Sequence, residues 1–218
     1  MYKVAQCWDD GVENDIIVAD ICRKYNAKAT FNINPGLNAK SIRLSGWIYD
    51  NFGVNRLSLD EMPAVYDGFT VASHTMTHPW PSKLSREEFR REALDARKYI
   101  EDVWQRSAPG FAWPYGDVTP EGIEVLREEK FVYGRSIVNV PHILPCKEPL
   151  DAASNCHFLN PDIEAIRREA AASGAFYFWG HSYEMKDDKK LIANYEKLIR
   201  TISEDPEAQW VDVSDLFA

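Results

Sequence analysis

The stretch Tyr2-Lys3-Val4-Ala5-Gln6-Cys7-Trp8-Asp9-Asp10-Gly11 decides the fold. Residues 2–7 read as a strand that stops at two carboxylates and a glycine. A helix-like segment follows over 13–25, with Ile16, Ile17, Ala19, Ile21 and Cys22 as its apolar side. A strand followed by a helix, repeated along a chain, predicts right-handed βαβ units and a parallel sheet.

The repetition continues outward. Further strands are predicted over 29–34, 69–73, 110–112, 131–136, 175–180 and 210–213. Helices are predicted from Ser85, from Thr119-Pro120, from Asn160-Pro161 and over 188–203. Ser85 and Glu88 have capping-box spacing, and Phe89, Ala93, Ala96, Ile100 and Val103 follow as a core face. Seven or so units without a break predict an α/β barrel in a single domain over residues 1–218. Residues 35–66 hold Gly36, Gly46 and Gly53 and read as a long irregular connection, a binding loop or lid.

Composition excludes several classes. The chain has 218 residues and a formal charge of -9, without the basic patch that phosphate neutralisation requires, so no nucleic-acid partner is expected. No stretch is apolar for long enough to span a bilayer, so no membrane partner is expected. Polar Gln6 and Asp9 interrupt any signal-peptide pattern, so the expectation is cytoplasmic. Cys7, Cys22, Cys146 and Cys156 show no C-x-x-C spacing and read as free thiols rather than a zinc site.

Barrel chemistry sits at the C-terminal ends of the strands. Asp9 and Asp10 end the first strand, and His74-Thr75-Met76-Thr77-His78 ends the third. Trp113-Pro114-Tyr115 ends the fourth, and His181 ends the penultimate one. His-x-x-x-His places two imidazoles one helical turn apart. One aspartate and two histidines make a three-ligand metal set with coordination positions left open, and the other aspartate is free to act as a base. Such a set suits zinc first, and also cobalt, nickel or iron. The plainer readings are an Asp10 that caps the next helix and histidines bonded to backbone in the core.

These residues resemble the NodB-homology polysaccharide deacetylases, carbohydrate esterase family 4. The family shows T-F-D-D-G, H-[ST]-x-x-H, R-x-P-[YF], an Asp/Trp motif and Leu-x-His. Here the counterparts are Cys7-Trp8-Asp9-Asp10-Gly11, His74-Thr75-Met76-Thr77-His78, Ala112-Trp113-Pro114-Tyr115-Gly116 and Phe178-Trp179-Gly180-His181. The resemblance implies a distorted (β/α)7-type barrel binding one divalent metal. It implies Asp9 as general base, His181 as general acid, and Asp10, His74 and His78 as metal ligands. It also implies the Tyr115 N–H as an oxyanion donor. Trp113 and Trp80 adjoin the motifs and are read as substrate walls.

Two departures stand out. Ala112 occupies the place of the motif arginine, so Asp9 is expected to be less depressed in pKa, unless Arg135 supplies the charge from the next strand. The Asp/Trp motif expected near 139–142 is missing, and nothing in the sequence ties Asp151 or His157 to His181. The implied activity is hydrolysis of N- or O-acetylated carbohydrate. The alternatives are hydrolysis of a small amide, imide or ureide, and a non-catalytic carbohydrate-binding relative.

Overall fold

The computed structural model describes residues 1–217. β1 (Tyr2–Asp9) and α1 (Asp15–Lys24) lead to β2 (Thr30–Ile33). An antiparallel pair, β3 (Leu44–Tyr49) and β4 (Phe52–Arg56), and a short α2 (Met62–Val65) precede β5 (Thr70–Ser73). Then come α3 (Arg86–Trp104), β6 (Gly110–Ala112), α4 (Pro120–Glu128) and β7 (Tyr133–Asn139). β8 (Ala152–Ser154), β9 (Cys156–His157), α5 (Ile163–Ala172) and β10 (Ala175–Gly180) follow. α6 (Lys189–Ser203), β11 (Ala208–Trp210) and α7 (Ser214–Phe217) close the chain.

The main sheet runs β8-β7-β6-β5-β2-β1-β10-β9, and its pairings are parallel. β8 and β9 are two halves of one strand, bent at Asn155. The Asn155 N–H donates to the Tyr177 carbonyl at 2.7 Å, and its Oδ1 accepts from the Tyr177 N–H at 2.8 Å. That bend joins β7 to β10 and closes the ring, giving seven staves and the expected distorted barrel. β11 pairs with the first half of β1.

Strand alternation sorts the side chains into two layers. Ala5, Cys7, Tyr133, Ala175, Tyr177 and Trp179 pack together inside the ring. Val4, Trp8, Phe31, Ile33, Phe176 and Phe178 face the helices. The helices form where the pattern predicts them. Ser85 and Glu88 make a reciprocal capping box on α3, which buries Phe89, Ala93, Ala96 and Ile100. Thr119 caps α4, with Pro120 at its first position. Among the described residues no helix is long and apolar enough to cross a membrane. All four cysteines are free.

Residues 35–66 are more ordered than the sequence suggests. They contain the β3–β4 hairpin, turned by Asp50 and Asn51 at φ 44° and 64°, both left-handed as a two-residue hairpin turn requires. A register irregularity between Ser45 and Trp47 breaks the two-residue alternation, which hid the strand. The hairpin brings Trp47, Tyr49 and Phe52 against Val12, Val54 and Tyr183. It thereby walls one side of the barrel mouth.

Gly180 ends β10 directly before His181. A methyl group there would overlap the Phe158 ring. Gly180→Ala is expected to cost about 1–3 kcal/mol of stability, read as a lower urea midpoint with unchanged slope. An unchanged midpoint would contradict this packing.

Candidate active site

The same alternation that builds the barrel aims the polar groups. Asp9 follows Ala5 and Cys7 on the inner face of β1. Arg135 follows Tyr133 on β7, and His181 follows Tyr177 and Trp179 beyond β10. They meet in a cavity of about 580 Å³ at the C-terminal ends of the strands, lined also by Trp47, Arg56 and Tyr183.

Asp9 is 2 % exposed. The Asn32 amide donates to its Oδ1 at 2.7 Å, and Arg135 Nη2 donates to its Oδ2. Burial alone would raise the Asp9 pKa. The Arg135 guanidinium, then His74, His181 and Asn32, more than reverse that, and the carboxyl lies well below the ordinary carboxylate range. The expectation of a less depressed Asp9 therefore fails on the condition attached to it: a cation reaches it from β7 in place of the motif arginine. The Arg135 guanidinium also sits 4.8 Å from the centroid of the Trp179 ring.

Strand parity would point Asp10 outward. Instead Asp10 and Gly11 adopt φ 87° and 64°, which turns the second carboxylate toward the same cavity. Arg56 Nη1 holds that turn, donating to the Asp10 carbonyl at 2.9 Å and to Asn34 Oδ1 at 3.1 Å. Asp10 caps no helix, since α1 begins at Asp15 after Asn14.

His74 and His78 are not on a helix, contrary to the spacing argument. They lie on the loop after β5, with Thr75 at φ 64° and His78 at φ 55°. The Thr75 hydroxyl holds the loop by accepting from the His78 N–H at 3.0 Å and donating to the His74 carbonyl at 2.5 Å. His74 Nδ1 lies 2.8 Å from the Ala112 carbonyl. A carbonyl only accepts, so Nδ1 carries the proton and the Nε2 lone pair faces the cavity. Burial, then the neighbouring His74, lowers the His78 pKa to about 4, and burial lowers that of His74 as well. Both rings are thus neutral donors at pH 7.

The three donor atoms fit a cation. His74 Nε2 and His78 Nε2 are 3.1 Å apart, and Asp10 Oδ1 lies 3.9 and 3.8 Å from them. A circle through these atoms has a radius of about 2.1 Å, within the range of zinc–nitrogen and zinc–oxygen bonds. Among the described residues the trio is one of two clusters with metal-ligand spacing, the other being His157, His181 and Glu184.

His181 Nε2 lies 3.9 Å from Asp9 Oδ2. Its partner is one that the sequence reading missed. Glu184, on the turn after β10, places Oε2 3.4 Å from His181 Nδ1, 2.9 Å from His157 Nε2 and 3.1 Å from the His181 N–H. Asp151 has no part in this, whereas His157, left unconnected above, is joined to His181 through Glu184. Buried Asp15 anchors the turn by accepting from the Ser182 and Tyr66 hydroxyls. Burial pulls the His181 pKa down, but Glu184 above all, with Asp10 and Asp9, pushes it up to about 9. Burial raises the Glu184 pKa, and His157 and His181 bring it down to about 2. The pair is ionised at neutral pH. The i,i+3 spacing of His181 and Glu184 was the available signal.

Tyr115 sits at φ 58°, and its N–H meets no acceptor among the described residues. Its ring stacks on Trp80 at 4.0 Å and meets His78 edge-on at 4.4 Å. Both rings are open to solvent, at 46 % for Tyr115 and 42 % for Trp80. Trp113 is different. Its side chain is 1 % exposed, stacks on Phe89 and donates to the Leu150 carbonyl. Position 113 continues the outward parity of Phe111, so its indole packs in the helix-facing core while the residue also lines the cavity.

A family profile described as polysaccharide deacetylase matches residues 2–134. The chain belongs to that family. Solved structures with the same fold include the carbohydrate esterase family 4 domain of a multidomain xylanase from the hindgut metagenome of Trinervitermes trinervoides. It is 18 % identical with a TM-score of 0.60, over 99 % of this chain and 89 % of that one. A Streptococcus pyogenes deacetylase in complex with acetate is 20 % identical with a TM-score of 0.52. That match covers 61 % of this chain, which spans 55 % of that protein's length. A mutant of a family 4 pseudoenzyme, with activity restored, is 15 % identical with a TM-score of 0.62, over 100 % of this chain and 68 % of that one. No curated protein matches. In this chain Arg135 reaches Asp9 from β7, and Glu184 joins His157 to His181.

Glu184→Gln removes the negative charge nearest His181. The His181 pKa, followed by NMR titration of the ring protons, is expected to drop from about 9 by about one unit or more. An unchanged value would show that Glu184 does not hold the ring charged.

Proposed function

We propose that the chain is a metal-dependent hydrolase that removes acetyl groups from N- or O-acetylated carbohydrate. One observation carries the reading. Three neutral or anionic donors face one point, and an ionised carboxylate and a charged imidazole stand 3.9 Å apart beside it. Family membership supports a carbohydrate deacetylase.

Asp10, His74 and His78 would hold the cation, with zinc the first choice and cobalt, nickel or iron suited to the same donors. A bound divalent ion supplies Lewis acidity, which acidifies water and polarises an acyl carbonyl. The chain's own groups do the rest. Asp9, fixed by Asn32 and Arg135, orients the attacking water and accepts its proton. The Tyr115 N–H donates to the carbonyl oxygen as negative charge develops there. His181, charged at neutral pH through Glu184, delivers a proton to the leaving nitrogen or oxygen. Trp80 and Tyr115 offer a flat apolar face to the sugar.

A small amide, imide or ureide is the second reading, and the β3–β4 hairpin walling a 580 Å³ cavity favours it over a long open groove. Acetate release separates the two, because ring opening frees none.

The test is acetate release from acetylated mono- and oligosaccharides after chelator treatment and zinc or cobalt loading. Wild type is expected to release acetate, and Asp9→Asn and His181→Ala to lose about 100-fold or more. No release at any metal loading, or release unaffected by both variants, would contradict the proposal. The acid must be protonated, so activity is expected to persist up to and fade through pH about 9, the His181 value. An alkaline limb below pH 7 would assign the acid elsewhere.

A further inference from the structure

Arg56 is the cavity-lining charge that the proposed reaction does not use. Every other charged group in the site has a counterpart. Asp9 has Arg135, and Glu184 has His157 and His181. The Asp10 carboxylate belongs to the cation donors. Arg56 has no carboxylate within 4 Å among the described residues, although it is only 9 % exposed.

Holding the Asp10 turn does not account for a guanidinium. That task takes Nη1 alone. Nε and Nη2 donate to nothing among the described residues, yet neither is sealed from solvent. The planar group lies 5.2 Å from the centroid of the Trp47 ring on the hairpin wall. A fixed Nη1 and an aromatic neighbour leave the Nε–Nη2 edge open. That edge has the two-pronged geometry that carboxylate and phosphate oxygens fit. Burial disfavours a charged arginine and Asp10 offsets this only from beyond ion-pair distance, so Arg56 suits an anion that arrives with the ligand.

We propose that the substrate carries an anionic group, a carboxylate or a phosphate, on the acetylated sugar ring itself, and that the Nε–Nη2 edge of Arg56 binds it. The same ring is implied because Arg56 lines the same cavity as Asp10 and holds its backbone, so an anion on Arg56 would lie close to an acetyl group placed at the Asp10, His74 and His78 donors. The proposal rests on the deacetylase reading and makes Arg56 a specificity residue of that site.

The experiment compares wild type, Arg56→Gln and Arg56→Lys, all zinc-loaded, on three sugars. N-acetylglucosamine is neutral, N-acetylmuramic acid adds a carboxylate, and N-acetylglucosamine 1-phosphate adds a phosphate. Two readouts are taken: kcat/KM for acetate release and calorimetric affinity for the same sugars. Wild type is expected to favour one of the two anionic sugars over the neutral one by about ten-fold or more. Arg56→Gln is expected to lose that ratio and Arg56→Lys to keep part of it. Which anionic sugar is preferred separates carboxylate from phosphate. Absence of preference in wild type overturns the proposal, as does a ratio retained in Arg56→Gln. An equal fall on all three sugars also overturns it, leaving Arg56 as a support for the Asp10 turn alone. If no sugar releases acetate, the deacetylase reading fails, and the calorimetric ratio still decides whether Arg56 selects an anion.

Discussion

The buried ion pair between Asp9 and Arg135 crosses the barrel interior, and the rest of the site is arranged around it. β1 and β7 lie on different sides of the ring, separated by β2, β5 and β6 on one path. The two side chains are 3 % and 1 % exposed. Removing either partner of such a pair would leave an uncompensated charge at a cost of about 3–5 kcal/mol. The pair therefore ties two distant strands to one register at their C-terminal ends. It also keeps Asp9 ionised while leaving it close to His181. A carboxylate this deep would otherwise take up a proton.

Around that pair, the charges divide by depth. Asp9 and Arg135 neutralise each other at the floor. Asp10, His74 and His78 gather anionic and neutral donors on one wall, which a cation would balance. Glu184 and His157 hold a charged His181 on another wall. This separation lets one small cavity keep a low-pKa carboxylate and a high-pKa imidazole within 4 Å. Two groups whose environments drive their pKa values apart can serve as base and acid at the same pH.

The parts legible in the sequence are those where a local pattern and the sheet period agree. Asp9, Asp10, His74 and His181 follow apolar strands directly, so strand ends and ligand candidates could be read together. Arg135 was readable because it shares parity with Tyr133 on β7. The helical spacing of His74 and His78 misled, since left-handed Thr75 and His78 bring the rings together on a loop instead. Motif adjacency placed Trp113 at the cavity, and strand parity adds that its indole packs toward the helices. Glu184, His157 and Arg56 were hidden for a common reason. They sit on a short turn, a strand bent at Asn155 and a hairpin interrupted near Gly46, where neither the two-residue nor the helical period is sustained.

The central claim is that Asp10, His74 and His78 form one cation site. Calorimetric titration of zinc into the chelator-stripped chain tests it most directly, with His78→Ala alongside. One tight equivalent in wild type, lost in His78→Ala, is the expected result. No binding by wild type, or equal binding by the variant, would contradict it.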